Sequence, residues 1–193
     1  MSNTTKIALE DSLKRLLLRK PLDKITITDI TTDCGISRMA FYYHFKDIYD
    51  LVEWCCVEDG TKALQDKKTY DSWTEGLTQV FEAVLENKPF IMNVYRCVSR
   101  EKMENYLYKL TYELLIGVVR EKAAGMSVRE EDMDFIATVY QYAFVGLMLD
   151  WIKNDMKGEP EVIVDRLAQV MHGNVTAALE RLRIDKAPSN SPE

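Results

Sequence analysis

Between Gly35 and Phe45 the chain reads GISRMAFYYHF, and Lys46 follows. Arg38, Tyr42, Tyr43, His44 and Lys46 all carry hydrogen-bond donors, and no carboxylate stands among them. A guanidinium can hold the O6/N7 edge of a guanine through two parallel hydrogen bonds, while phenols, an imidazole and an ammonium donate to phosphate or lie against sugar. Met39 and Ala40 add apolar surface of the kind that touches a thymine methyl. In a chain of formal net charge −6, such a stretch has two readings. It is an aromatic piece of core, or a surface built to meet something negative.

The charge is unevenly shared. Residues 1–50 hold eight Lys/Arg against seven acids, net +1, so residues 51–193 carry −7. An isoelectric point near 5.1 therefore does not exclude an anionic partner for the first fifty residues, because binding responds to the local field.

The elements that must position these side chains read as helices nearly throughout, with no strand candidate longer than the ambiguous KITI. Leu9, Leu13, Leu16 and Leu17 form a stripe that ends before Lys20-Pro21. Thr26 with Asp29 three residues on has the form of a capping box, and Gly35 suits the left-handed stop of a short second helix. Ser37 is a good N-cap for a third, and Ile36 with Phe41 has the spacing of a hydrophobic staple. Steps of about 100° per residue send Phe41 and Phe45 to one side and Met39 and Tyr43 to the other. Helix, glycine turn and helix with polar residues outward is the order of a helix-turn-helix, whose second helix enters the DNA major groove. The candidate DNA-binding residues of this helix and its cap are Ser37, Arg38, Met39, Ala40, Tyr42, Tyr43 and His44.

A helix over 47–60 then leads into a second, larger part, with further helices expected at 72–86, 89–98, 101–123, 128–157 and 160–184. Ser127 and Glu130 have capping-box spacing, and Pro160 sits at a first helical position. The segment DMDFIATVYQYAFVGLMLDWI carries two apolar stripes, and burial on both sides follows. Ile136, Tyr140, Phe144, Leu147 and Trp151 make one, and Phe135, Val139, Tyr142, Gly146 and Leu149 the other. One stripe can pack on the chain's own body and the other on a second copy, with the last helix as companion. Val139, Tyr142, Gly146, Leu167, Met171 and Ala178 are the expected homodimer interface, unless the helix is simply central in a monomer. Trp73, Tyr95, Tyr140, Phe144 and Trp151 would line an effector pocket or equally fill a solid core.

Other chemistries find little support. The chain has no phosphate-binding glycine loop, no H-E-x-x-H, no G-x-S-x-G and only two histidines, so neither catalysis, a cofactor nor a metal site is expected. Cys34, Cys55, Cys56 and Cys97 lack zinc-ligand spacing and read as buried thiols. No run of about 18 apolar residues stands out, and acids at Glu10 and Asp11 occupy the place of a signal peptide's apolar stretch. A cytoplasmic protein with no membrane partner is the expectation.

Residues 26–51, TITDITTDCGISRMAFYYHFKDIYDL, resemble the DNA-binding head of the tetracycline-repressor (TetR) family, with its threonine at the start of helix two and its Gly-Ile-Ser, Phe-Tyr and His-Phe pattern. FYYHFKDIYDLVEW, YRCVSREKMENYLYKL and YAFVGLMLDWIKNDM resemble the subgroup named after regulators of dihydroxyacetone kinase operons. The resemblance implies an all-α fold: a three-helix DNA-binding head (1–50, motif about 26–45), then a helical regulatory and dimerisation bundle (51–185). The tail KAPSNSPE (186–193) has no means of burying anything and is expected to be disordered. The resemblance implies that Thr26, Tyr42, His44 and Lys46 hold phosphates while Arg38, Met39, Ala40 and Tyr43 face bases. It also implies a homodimer on a near-palindromic double-stranded operator, answering through its body to a small-molecule effector or a kinase-like partner protein. The alternative is a co-regulator that docks such a partner and binds DNA productively only in that complex. One departure is Ile48, where many members carry a DNA-touching lysine, so that Lys46 covers the role or a contact is missing.

Overall fold

The computed structural model describes residues 2–64 and 72–185. The expected disordered tail lies outside them. Leu9, Leu13 and Leu17 recur every fourth residue and are buried along α1 (Ser2–Leu17), whose Ser12 hydroxyl donates to the Ile30 carbonyl at 3.0 Å. That bond fixes α2 (Ile27–Cys34) across α1. After a short 3₁₀ turn at Leu22–Lys24, the Thr26–Asp29 capping box forms in full, and Gly35 closes α2 at φ 70. Ser37 caps α3 (Arg38–His44), its oxygen accepting from the Ala40 amide at 3.1 Å.

From Asp47, which caps it, α4 (Ile48–Ala63) runs out of this head into the body. Gly60 lets α4 approach closely there, since a Cβ at that position would fall 2.3 Å from a Leu110 methyl. The body contains α5 (Trp73–Glu86), α6 (Lys88–Cys97), α7 (Arg100–Lys122), α8 (Glu130–Lys153), α9 (Pro160–Met171) and α10 (Asn174–Leu182). Its spine is the α7–α8 pair, tied inside by Gln141, whose amide donates to the Tyr108 carbonyl at 2.8 Å and the Thr111 hydroxyl at 3.2 Å. Head and body also meet through α6, where the Asn93 amide donates to the Leu17 carbonyl at 3.1 Å, and through Lys14, whose ammonium bridges Glu10 and Asp59 at 2.7 Å each.

Three expectations about the later helices are corrected. The last helix is not continuous: His172 leaves the helix and Gly173 takes φ 76, so α10 turns back and buries Val175 and Leu179. The Ser127–Glu130 capping box does not form, because Glu130 pairs with Arg120 and α8 starts uncapped after Arg129. At its other end α8 stops at Lys153, where Asp155 and Met156 enter the left-handed region at φ 61 and 55. Helix α8, 24 residues long, holds an 18-residue stretch of mean hydropathy 1.4, long and apolar enough to cross a membrane, but half of that stretch is buried inside the chain, as in a core helix.

Candidate nucleic-acid interface

The surface of α3 follows from what lies beneath it. Phe41 and Phe45 are buried with ring centroids 5.9 Å apart, and Phe45 meets Trp54 of α4 at 5.8 Å. Anchored this way, the helix turns its other face to solvent, where Met39 is 83% and Tyr43 82% exposed. Large side chains of this kind are more often buried on the chain's own core, so their shared exposure on one helix face sets this surface apart. Arg38 and Tyr42 are exposed beside them, and Ala40 and His44 are half-buried at the flanks, with His44 edge-on to Tyr43 at 4.9 Å.

The donors on this face are largely uncommitted. Arg38 reaches only the Thr28 hydroxyl, at 3.4 Å, and has no ion pair among the described residues, so most of its five N–H groups remain free. Ser37 accepts the Ala40 amide with its oxygen, which leaves its proton for an external acceptor. Lys46 also lacks an ion pair among the described residues, its backbone N–H alone being used, toward Asp50 at 2.8 Å.

Thr26 is different. Its hydroxyl donates to the Asp29 carboxylate at 2.7 Å and its backbone N–H does so at 2.8 Å. Lys20 meets the same carboxylate at 2.8 Å, and these hydrogen bonds hold the Asp29 carboxyl down at about 2. Thr26 is thus first a helix cap, and a phosphate would have to take its hydroxyl proton from Asp29.

Sequence reasoning missed two further cations. Lys6 of α1 lies 5.6 Å from the Phe45 ring centroid and 5.5 Å from that of Trp54, and Lys102 of α7 lies 4.6 Å from that of Tyr49. Nothing local signals either one, since their partners are distant in the chain.

With this geometry in place, the comparisons decide the family. A family model described as "Transcriptional regulator C-terminal region", of the TetR type, matches residues 71–173. The chain belongs to the TetR family of transcriptional regulators. It is 23% identical over 188 residues to YerO, an HTH-type transcriptional regulator of Bacillus subtilis, covering 86% of this chain but only 64% of that protein's length. It is also 23% identical over 130 residues to DhaS of Lactococcus lactis, the HTH-type dhaKLM operon transcriptional activator, covering 67% of this chain and 68% of that one. Among solved structures, a dihydroxyacetone kinase operon activator DhaS superimposes with a TM-score of 0.67 at 17% identity, over 93% of this chain and 98% of that chain. The all-α fold with a helix-turn-helix head is that of the family, and a DNA-binding regulator is favoured over the co-regulator alternative.

In the body of this TetR-family regulator the aromatic residues read as pocket lining or solid core are divided between the two. Phe144 and Trp151 pack edge-on against Phe81, with centroids 5.5 and 5.1 Å away, and are solid core. Tyr95 and Tyr140 lie half-buried against that core. Trp73 does line a cavity, but at the other end of α5, with Thr74, Val118, Met171, His172 and Val175, of about 270 Å³. An interior gap of about 40 Å³ beside Cys56, Met103, Tyr106 and Ile152 has room for little more than a water. Of the four cysteines read as buried thiols only Cys55 is fully buried, the others being half-buried; desolvation raises the Cys55 thiol well above its ordinary value and that of Cys56 to about 12, which makes both poor nucleophiles.

The expected dimer residues separate into two groups. Val139 and Tyr142 are exposed on α8 beside Phe135, which is 68% exposed, and Gly146 lies among them with open space where a Cβ would stand. Leu167 and Met171 are buried in the chain's own core, and Ala178 is half-buried. Helix α9 packs against α5 and α8, which encloses that side of it.

Proposed function

We propose that this TetR-family regulator binds a near-palindromic operator as a homodimer, with α3 of each protomer in a major groove. Arg38, Met39, Ala40 and Tyr43 face the bases, and Ser37, Tyr42, His44 and Lys46 grip the flanking phosphates. The observation that carries this reading is the outward face of α3. Met39 and Tyr43 are more than four-fifths exposed over a packed base of Phe41 and Phe45, and no carboxylate lies between Asp33 and Asp47. Residues 1–50 act as the reading head and 51–185 as the regulatory and dimerisation body. A role without catalysis, in the cytoplasm where the DNA lies, fits the regulators to which the chain is similar.

The apolar face of α8 supports the dimer. Phe135, Val139 and Tyr142 on one side of α8 form an exposed set that water covers badly. A two-fold site requires the two α3 helices of that dimer to sit about one DNA turn apart, roughly 34–36 Å. The test is selection of bound sequences from a random duplex library with the purified protein alone. A two-fold symmetric consensus is expected, and recovery of no consensus would sink the reading.

A further inference from the structure

A cleft of about 450 Å³ opens between the start of α4 and the first half of α7, directly after the recognition helix, with Lys46, Tyr49, Glu53, Lys102, Tyr106 and Lys109 on its walls. Its charges are mixed. Glu53 pairs with Lys109, while Asp47 accepts the Asp50 amide at 2.9 Å and Asp50 the Lys46 amide at 2.8 Å, and both aspartates keep their charge. Lys46 and Lys102 have no ion pair among the described residues. Lys102 is held in place by the Tyr49 ring, 4.6 Å from its nitrogen. A cation resting on an aromatic face is positioned without giving its N–H donors to an oxygen, so they stay available to an external anion. Ile48 contributes no cation to the first turn of α4. Since Tyr49 lies in that first turn and Lys102 in the first turn of α7, Lys102 stands at the end of the body nearest α3.

We propose that Lys102, a residue of the regulatory body, makes a phosphate contact on the DNA strand flanking the recognition helix, on the opposite wall of the cleft from Lys46. The inference rests on the reading of α3 as the DNA-binding helix. A single ammonium is a point charge that neutralises a phosphate and discriminates no base, so this contact adds affinity and salt dependence without sequence preference. Asp47 and Asp50 stay charged nearby. The gain is therefore that of one added phosphate contact per protomer, not of a broad basic patch.

The experiment measures Kd for the full-length dimer on its selected operator and on an unrelated duplex, across a series of KCl concentrations. Lys102→Ala and Lys102→Gln should both weaken binding to the two duplexes alike, and each should flatten the plot of log Kd against log[KCl] by about one unit per protomer, or about two per dimer. Lys102→Arg should keep the wild-type slope, and so should Lys109→Ala, whose charge is spent on Glu53. On a duplex trimmed to the bases under the two recognition helices, wild type and Lys102→Gln should converge. A slope unchanged by both neutral substitutions, with Lys46→Ala flattening it in the same series, would overturn the proposal and leave the DNA-binding reading standing. Failure of that reading looks different: wild type would then show no preference for the operator over the unrelated duplex.

Discussion

Arg38→Ala is the substitution that bears hardest on the reading of α3. In the free protein the guanidinium is exposed and makes one long hydrogen bond, 3.4 Å to the Thr28 hydroxyl. Its removal from the folded chain should cost no more than about 0.5 kcal/mol, as for other surface substitutions without a buried partner. On DNA the balance is reversed. A bidentate contact to guanine is worth about 1–3 kcal/mol, and a dimer carries it twice, so about 2–6 kcal/mol is at stake. At about 1.4 kcal/mol per tenfold, Kd should rise from about 30-fold to about 10⁴-fold. Fluorescence anisotropy on the selected operator gives this number, and the same titration on operators changed one base pair at a time shows where discrimination has gone. Loss should be confined to one symmetric pair of positions. Thermal melting within about 2 °C of wild type, with Kd unchanged within about threefold on every operator, would refute the role of Arg38 in reading bases.

Tyr42→Phe removes a hydroxyl from an exposed ring and should weaken operator binding by about 1 kcal/mol with no change in melting temperature. Tyr142→Glu should yield folded monomer in sedimentation, because the ring is 59% exposed in the single chain, whereas a charge at Met171, which is buried, should unfold the protein and not split a dimer. Gly60→Ala should destabilise the fold by about 1–3 kcal/mol in chemical denaturation, since its methyl meets Leu110. The Asp29 carboxyl is lowered from 3.8 to about 2 in the folded chain, so the stability it contributes is complete above 3.8 and is lost as the pH falls from there through about 2. Asp29→Asn should accordingly flatten the acid limb of the stability profile in that window.

The head was legible because its rules are local. The Thr26–Asp29 box, the left-handed Gly35 and the Ser37 cap each involve residues within a turn of one another, and their geometry depends on little else. The inward Phe41 and Phe45 and the outward Met39 and Tyr43 follow from helical periodicity alone. The body was legible as helices, and less so as surfaces. A periodic stripe says that a face is buried but not against what. Leu167 and Met171 were read as facing a second copy, and they are buried in their own chain, where α9 packs on α5 and α8. Aromatic residues expected around a cavity were divided between solid core at Phe81 and a cavity at Trp73, a choice made by how α5, α7, α8 and α9 are packed. Ser127 and Glu130 had the spacing of a cap, but Glu130 found Arg120 on α7. Lys102, placed over Tyr49 from the body, has no sequence signal at all. Capping and periodicity are energies between neighbours in the chain, whereas the faces that meet, the gaps left between them and the cations that lodge beside them depend on distant segments, and only the assembled helices decide those.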